Sequence, residues 1–292
     1  MENLRAISIL NNYLKREKDD LLLYLDDNVY INKIRDDEYG ALHRVYEEFK
    51  DFISISATCL YIENPVIEDF TLFSKEFLAK SKFVLNNFAA DNPVNSTHIF
   101  LVAPDNSLEV KDYRVLSHLE IALEEKHFQI KDNINRDYLS NLYKIVDLCC
   151  KKSPGLSIAL ERFNSCLIRT DLREKIIDAT IALEHIVPNY TEISFRLALY
   201  NSFLVAATKE ERYEAFKLLK KLYDVRSKII HGAMTKESYK NYAEVEDKWN
   251  EIIKYIQSIL LYFMIFIAEK SYKEWDQHLQ RLIFGLDGRI VD

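Results

Sequence analysis

The residues best equipped for chemistry lie in one stretch, Tyr223-Asp224-Val225-Arg226-Ser227-Lys228-Ile229-Ile230-His231-Gly232. Arg226 carries a permanently charged guanidinium and His231 an imidazole that can take or give a proton, a minimal set for cleaving a phosphodiester without a metal. The guanidinium can hold non-bridging oxygens as their charge develops, and the imidazole can move the proton of a ribose 2′-hydroxyl. Ser227 adds a polar neighbour directly after the arginine. On spacing alone the pair carries little weight, because a helix-rich chain of this size contains Arg-x4-His by chance. There is also a geometric strain. Residues five apart on an ideal helix point about 140° from each other, so Arg226 and His231 do not share a face. A long arginine side chain, a loosened last turn at Gly232, or a partner group from a second subunit would each close that gap, and the second subunit is the preferred answer.

The elements that must position these residues are helical. Only five glycines and five prolines occur in 292 residues, which favours long uninterrupted helices over a turn-rich β fold. From Arg136 onward the periodicity is clean. The spacing predicts helices over Asp137–Cys150, Leu156–Ile168, Asp171–Val187 (ended before Pro188) and Thr191–Ala207. A further helix runs over Lys209–His231, closed by Gly232 as a left-handed C-terminal residue. Lys236–Lys270 reads as one long helix or two abutting ones, and Tyr272–Ile283 as a last short one. The first half is less regular. Residues 1 to about 24 show Leu4, Ile7, Leu10 and Leu14 at helical spacing, and Phe70–Phe88 returns to that period. Ile53–Ser56, Ala57–Ile62 and Thr97–Val102 carry the β-branched alternation of strands. The fold class expected is therefore mainly α: a C-terminal helical bundle over residues 131–292, preceded by an irregular α+β module over residues 1–130 that would sense or regulate.

Composition narrows the function classes. Hydrophobic residues make up 48% and charged residues 29%, a globular profile. The net charge of −7 is unlike the broad basic footprint of a duplex-DNA binder, yet leaves room for a local positive patch. Cys59, Cys149, Cys150 and Cys166 show neither a CxxC nor a Cys/His metal spacing, which reads as reduced cytosolic thiols. The N-terminus lacks the layout of a signal peptide. The most apolar run, Ile252–Ala268, is interrupted by Lys254, Gln257 and Ser258. Its uncharged part, Tyr255–Ala268, is short for a bilayer and favours a buried core helix.

Three blocks, in order, carry a resemblance to a known family. They are Asp178-Ala179-Thr180-Ile181-Ala182-Leu183-Glu184-His185-Ile186-Val187, then Thr191-Glu192-Ile193-Ser194-Phe195-Arg196-Leu197-Ala198, then Leu222 to Gly232. Together they resemble a HEPN domain of the ApeA-like kind over about residues 136–285, and say nothing specific about residues 1–125. The resemblance implies an all-helical bundle that pairs with a second copy so that two Arg-x4-6-His motifs face one groove. It implies a metal-independent endoribonuclease of toxin–antitoxin, abortive-infection or other anti-phage systems. Such an enzyme needs no cofactor; its partners would be RNA, a homodimer mate and a regulatory or antitoxin protein, in the cytoplasm and away from membranes. By position, Arg226 and His231 match the motif's defining pair and Ser227 its polar neighbour.

Each residue also has a plainer role open to it. His231 can cap the carbonyls of its own helix, and Arg226 can pair with Glu184 or near Asp224. Glu184 and Arg196, which fall on the first two blocks, suit buttressing the bundle beneath the site better than catalysis. Lys217, Lys220, Lys221 and Lys228 make the Lys209–His231 helix locally basic, either as a strip facing RNA or as an ordinary solvated face. Where related toxins carry a tyrosine two residues after the histidine, this chain has Ala233, so control by modification of that tyrosine is not expected. The remaining histidines (43, 98, 118, 127, 185, 278) form no metal-ligand spacing with one another.

Overall fold

The computed structural model describes residues 4–10, 23–35, 38, 42, 58–87, 98–103, 109–115, 136–187 and 192–288. It is mostly helical with one antiparallel sheet. The chain divides into two compact units, residues 1–144 and 145–292, where the sequence suggested a division at 130/131.

Within the first unit, the described strands are β1 (Arg5–Leu10), β2 (Leu23–Asp26), β3 (Val29–Lys33), β4 (Thr58–Glu63), β5 (His98–Ala103) and β6 (Glu109–Val115). They form a sheet in the order β2-β3-β4-β1-β5-β6, antiparallel at every step. The helix expected over residues 1 to about 24 is therefore corrected: 5–10 and 23–26 are strands, and Leu14 lies outside the described residues. The misleading signal has a physical cause. β1 sits between β4 and β5, with Ile7 opposite both Tyr61 and Phe100. Ala6, Ile7, Ser8 and Leu10 are all buried, so both faces are covered and no alternation survives to mark a strand. The expected strands at 57–62 and 97–102 appear as β4 and β5, whereas Ile53–Ser56 lies outside the described residues. The β2–β3 hairpin turns at Asp27-Asn28 and, like β6, was not anticipated.

Among the described residues, α1 (Phe70–Asn86) accompanies the sheet. Asp69 caps it, its carboxylate accepting from the Thr71 and Leu72 N–H groups. Its buried residues include Phe77, Leu78, Phe83, Val84 and Leu85. A polar knot crosses three strands of the sheet. The Arg5 guanidinium meets Glu38 at 2.6 Å and Glu63 at 2.7 Å. Tyr30 donates to Glu63 (2.6 Å) and Tyr61 to Glu38 (2.8 Å), and the two tyrosine rings stack 5.0 Å apart. Buried charges demand such partners, and Glu38 is 1% exposed.

The helices that follow are α2 (Arg136–Lys152), α3 (Pro154–Ile168), α4 (Leu172–Glu184), α5 (Ile193–Val205), α6 (Lys209–Ile230), α7 (Lys236–Asp247), α8 (Trp249–Glu269) and α9 (Trp275–Ile283). The division between units falls inside α2. Local signals set most boundaries. Pro154 stands in the first turn of α3, where its missing N–H costs nothing. Asp171 caps α4 through the Arg173 N–H, and Thr208 with Glu211 forms a full capping box on α6. The long segment expected over Lys236–Lys270 resolves into two helices abutting at Lys248. The α5 start expected at Thr191 lies outside the described residues.

The core of this unit is α8. Ile252, Ile256, Ile259, Leu260, Tyr262, Phe263, Met264, Phe266 and Ile267 are buried on it. It is the one helix among the described residues long and apolar enough to cross a membrane, with a mean hydropathy of 1.6 over its best window, half of that window being buried. Its C-terminal carbonyls are met by Lys152, whose ammonium donates to Ile267 O (3.0 Å) and Ala268 O (2.6 Å). Trp275 opens α9 and donates its indole N–H to Ile186 O at 2.8 Å, tying α9 to the end of α4.

Candidate functional site

Three helices bring the singled-out residues together: the end of α4, the start of α5 and the last two turns of α6. Glu184 is the last residue of α4 and Arg226 lies one turn before the end of α6. Their side chains meet, Arg226 Nη2 to Glu184 Oε2, at 3.6 Å. Of the partners open to Arg226 in the sequence, Glu184 is the one used. Asp224 turns away toward α5, accepting from the Ser194 hydroxyl at 3.5 Å. Both members of the ion pair are about four-fifths covered, at 22% and 19% side-chain exposure. Burial pushes the Glu184 carboxyl above its ordinary range, and the neighbouring guanidinium pulls it partly back.

The arginine is loosely held. A hydrogen-bonded guanidinium–carboxylate pair closes to about 2.7–2.9 Å, so 3.6 Å is a charge contact without a well-made hydrogen bond. The Arg226 Nε is buried and has no partner. Its guanidinium carbon sits 5.8 Å from the centre of the Tyr223 ring, a residue within the quoted block whose contribution spacing did not reveal. The Tyr223 hydroxyl is pushed up by burial first and by Glu184 second. Arg226 thus retains a donor, and its carboxylate neighbour fixes its direction.

His231 sits where α6 stops. Its own N–H donates to Ser227 O (3.1 Å), Gly232 N–H to Ile229 O (3.3 Å) and Ala233 N–H to Lys228 O (3.0 Å). That pairing, with Gly232 at φ +62°, is a Schellman ending. The backbone therefore satisfies the last carbonyls, and the His231 ring is not needed for that purpose. The ring is exposed and makes no hydrogen bond or ion pair among the described residues. Within one chain the Cα atoms of Arg226 and His231 lie about 9 Å apart on ideal helix geometry, and no contact joins the two side chains.

The other expected residues divide. Ser227 is half-buried and lines a groove of about 540 Å³ between α6 and α7, with Asp224, Lys228, Thr235, Glu237 and Asn241. Arg196 reaches only along its own helix, its Nη1 lying 3.5 Å from the Tyr200 hydroxyl, and it touches neither Glu184 nor Arg226. The lysine strip is broken. Lys221 is taken by Glu244 of α7 and Lys217 by Glu214 at 2.7 Å. Lys220 and Lys228 remain exposed, with no ion pair among the described residues.

A second polar knot lies along the middle of α4. Asp178, 1% exposed, accepts from Arg162 and Arg169, both at 3.0 Å. His185, directly after Glu184, is held below its ordinary pKa by burial and then by Arg162. No spacing rule pointed to this group, because its members come from three segments. No group of three or more His, Cys, Asp or Glu among the described residues is placed to hold a metal. Cys59, Cys149 and Cys166 are buried free thiols and Cys150 is half-buried. Compared with protein-family models, curated proteins and solved structures, the chain matches none.

Proposed function

We propose that the C-terminal helical unit is a HEPN-type, metal-independent endoribonuclease acting in a prokaryotic anti-phage or toxin-type defence system. In this reading it works in the cytoplasm as a homodimer and is held in check by a partner or a trigger. The observation that carries the reading is the arrangement at the end of α6. Arg226 is oriented by Glu184 yet keeps a buried donor without a partner, and the His231 ring is exposed where the helix ends. The first and third blocks of the resemblance thus meet at Glu184 and Arg226. The second reaches the same helix through Ser194 and Asp224.

The chemistry follows from those groups. His231 takes the proton of a ribose 2′-hydroxyl, whose oxygen attacks the adjacent phosphorus. Arg226 donates to the non-bridging oxygens as charge gathers on the phosphorane. The 5′-oxygen leaves and is protonated by a second histidine or by water, giving a 2′,3′-cyclic phosphate and a 5′-hydroxyl end. Because Arg226 and His231 of one chain do not meet, the composite site takes its acid–base partner from the second copy.

RNA cleavage in excess EDTA, with His231→Ala alongside, tests this. Cyclic-phosphate ends from the wild type and none from the variant are expected. Cleavage that survives in the variant would sink the assignment. A second reading, a non-catalytic dimerisation or RNA-binding scaffold, draws on the same ion pair: an Arg226 given over to Glu184 is also what a structural arginine looks like. Unchanged RNA binding and unchanged cellular behaviour in both Arg226→Ala and His231→Ala would favour it.

A further inference from the structure

We propose that the groove between α5 and α6 is a base-stacking subsite for single-stranded RNA, and that the strand it holds runs along the exposed face of α6 to His231. This rests on the reading of the protein as a ribonuclease, and extends it to the class of RNA and the path it takes.

The groove encloses about 430 Å³. Phe195 and Phe216 meet edge to face at 5.8 Å across it, and Phe203 and Tyr213 complete an aromatic lining that also holds Lys209 and Arg212. Two of the rings are not core residues. Phe195 is 49% exposed and Tyr213 61% exposed, and large aromatics left open in this way mark binding surfaces. The cations lie on the rings. The Arg212 guanidinium carbon is 4.6 Å above Phe203, and its Nε is anchored to Ala206 O at 3.1 Å. The Lys217 ammonium lies 4.8 Å from the Tyr213 ring and also pairs with Glu214. Open aromatic faces interleaved with cations suit unpaired bases on an anionic backbone. The rings stack the bases whatever their identity, and the cations take the phosphates. A duplex hides its base faces and has no use for such a groove.

Helix geometry connects the groove to His231. His231 follows Tyr213 by about five turns, or about 27 Å, and so returns to the same azimuth. Lys217, Lys220 and Lys228 lie within about 60° of that line, and all are exposed. Arg226 faces the opposite way, into Glu184. Lys220 and Lys228, which have no ion pair among the described residues, are therefore the stations between the stacking rings and the imidazole, with Asp224 about 20° from the same line.

Binding of labelled single-stranded oligouridine, and of a duplex of equal length, is measured by fluorescence anisotropy at fixed salt. The proteins are the full-length wild type, Tyr213→Ala, Phe195→Ala and Tyr213→Phe. Losing one stacked base weakens binding on the order of fivefold to a hundredfold. That loss is expected for each alanine variant, with helical circular dichroism unchanged. Tyr213→Phe, which keeps the ring, should bind as the wild type, and the duplex more weakly. Wild-type protein that fails to bind the single strand, alanine variants that bind unimpaired, or a preference for duplex would each overturn the proposal. Groove variants that dissociate the protein in sedimentation at unchanged RNA affinity would overturn it too, making the groove a protein interface. The two readings fail separately. Groove-dependent binding with cleavage that survives in His231→Ala leaves the subsite standing and removes the nuclease site; cleavage that depends on His231 but is indifferent to Tyr213 and Phe195 does the reverse.

Discussion

Replacing Trp275 by Phe tests how the site is held. Trp275 is 1% exposed and packs against Phe266 at 5.0 Å and Phe263 at 5.1 Å. Its indole N–H meets Ile186 O at 2.8 Å. Phenylalanine keeps a ring but removes the donor, and Ile186, itself 1% exposed, leaves its carbonyl without water to turn to. An orphaned buried acceptor costs about 1–3 kcal/mol, and the space vacated by the lost half of the indole adds about 1–2 kcal/mol. The sum is about 2–5 kcal/mol, a large part of a typical domain's stability. Both tryptophans lie in the second unit, so in the variant Trp249 alone reports its unfolding. With a urea slope of about 2 kcal/mol per molar, a loss of about 3 kcal/mol moves the midpoint down by about 1.5 M. Ile186 stands two residues past Glu184, so the same change loosens the carboxylate that orients Arg226. A midpoint shift below about 0.5 M at unchanged slope would refute the reasoning, because it would mean that the Ile186 carbonyl had found another partner.

Two further outcomes are expected. Gly232→Ala forces a side chain into φ +62° with nothing within 4 Å to clash. Its cost is therefore backbone strain alone, about 1–2 kcal/mol, read as a lower midpoint, and Gly232→Asn should recover part of it. The second unit should also lose stability below about pH 6.5. His185 is held below its ordinary pKa by burial and Arg162, and His278 by burial in spite of Asp287. The unfolded chain therefore binds protons that the folded chain resists, and that contribution, present above the unfolded value, is lost as pH falls through the folded one. Glu184, raised by burial, acts in the opposite sense at lower pH. Urea midpoints between about pH 7.5 and about pH 5.5, with His185→Gln and His278→Gln, check this. A slope that neither variant flattens would refute it.

What the chain reveals by itself is what its neighbouring residues decide among themselves. Asp171, the Thr208–Glu211 box, Ser153-Pro154 and Gly232 act within one turn on the backbone beside them, so α3, α4 and α6 are legible from spacing and caps. The same holds for the Schellman ending that frees the His231 ring, because glycine at a left-handed position is a local requirement. The order of the three blocks is likewise a property of sequence.

Only the tertiary structure decided the rest. Leu4, Ile7 and Leu10 carry helical spacing, yet β1 is a strand because β4 and β5 cover both of its sides. Arg226 had two acidic neighbourhoods open to it, and the packing of α4 against α6 chose Glu184 while α5 drew Asp224 away. Lys217, Lys220, Lys221 and Lys228 look alike in sequence, but Lys221 is lost to Glu244 because α7 folds back beside it. The aromatic groove exists because α5 and α6 run side by side, so that rings spaced for a core are left half open. Caps and helical periods are settled by groups a few bonds apart. Charge pairing and burial depend on distances through space, which here join residues up to dozens of positions apart.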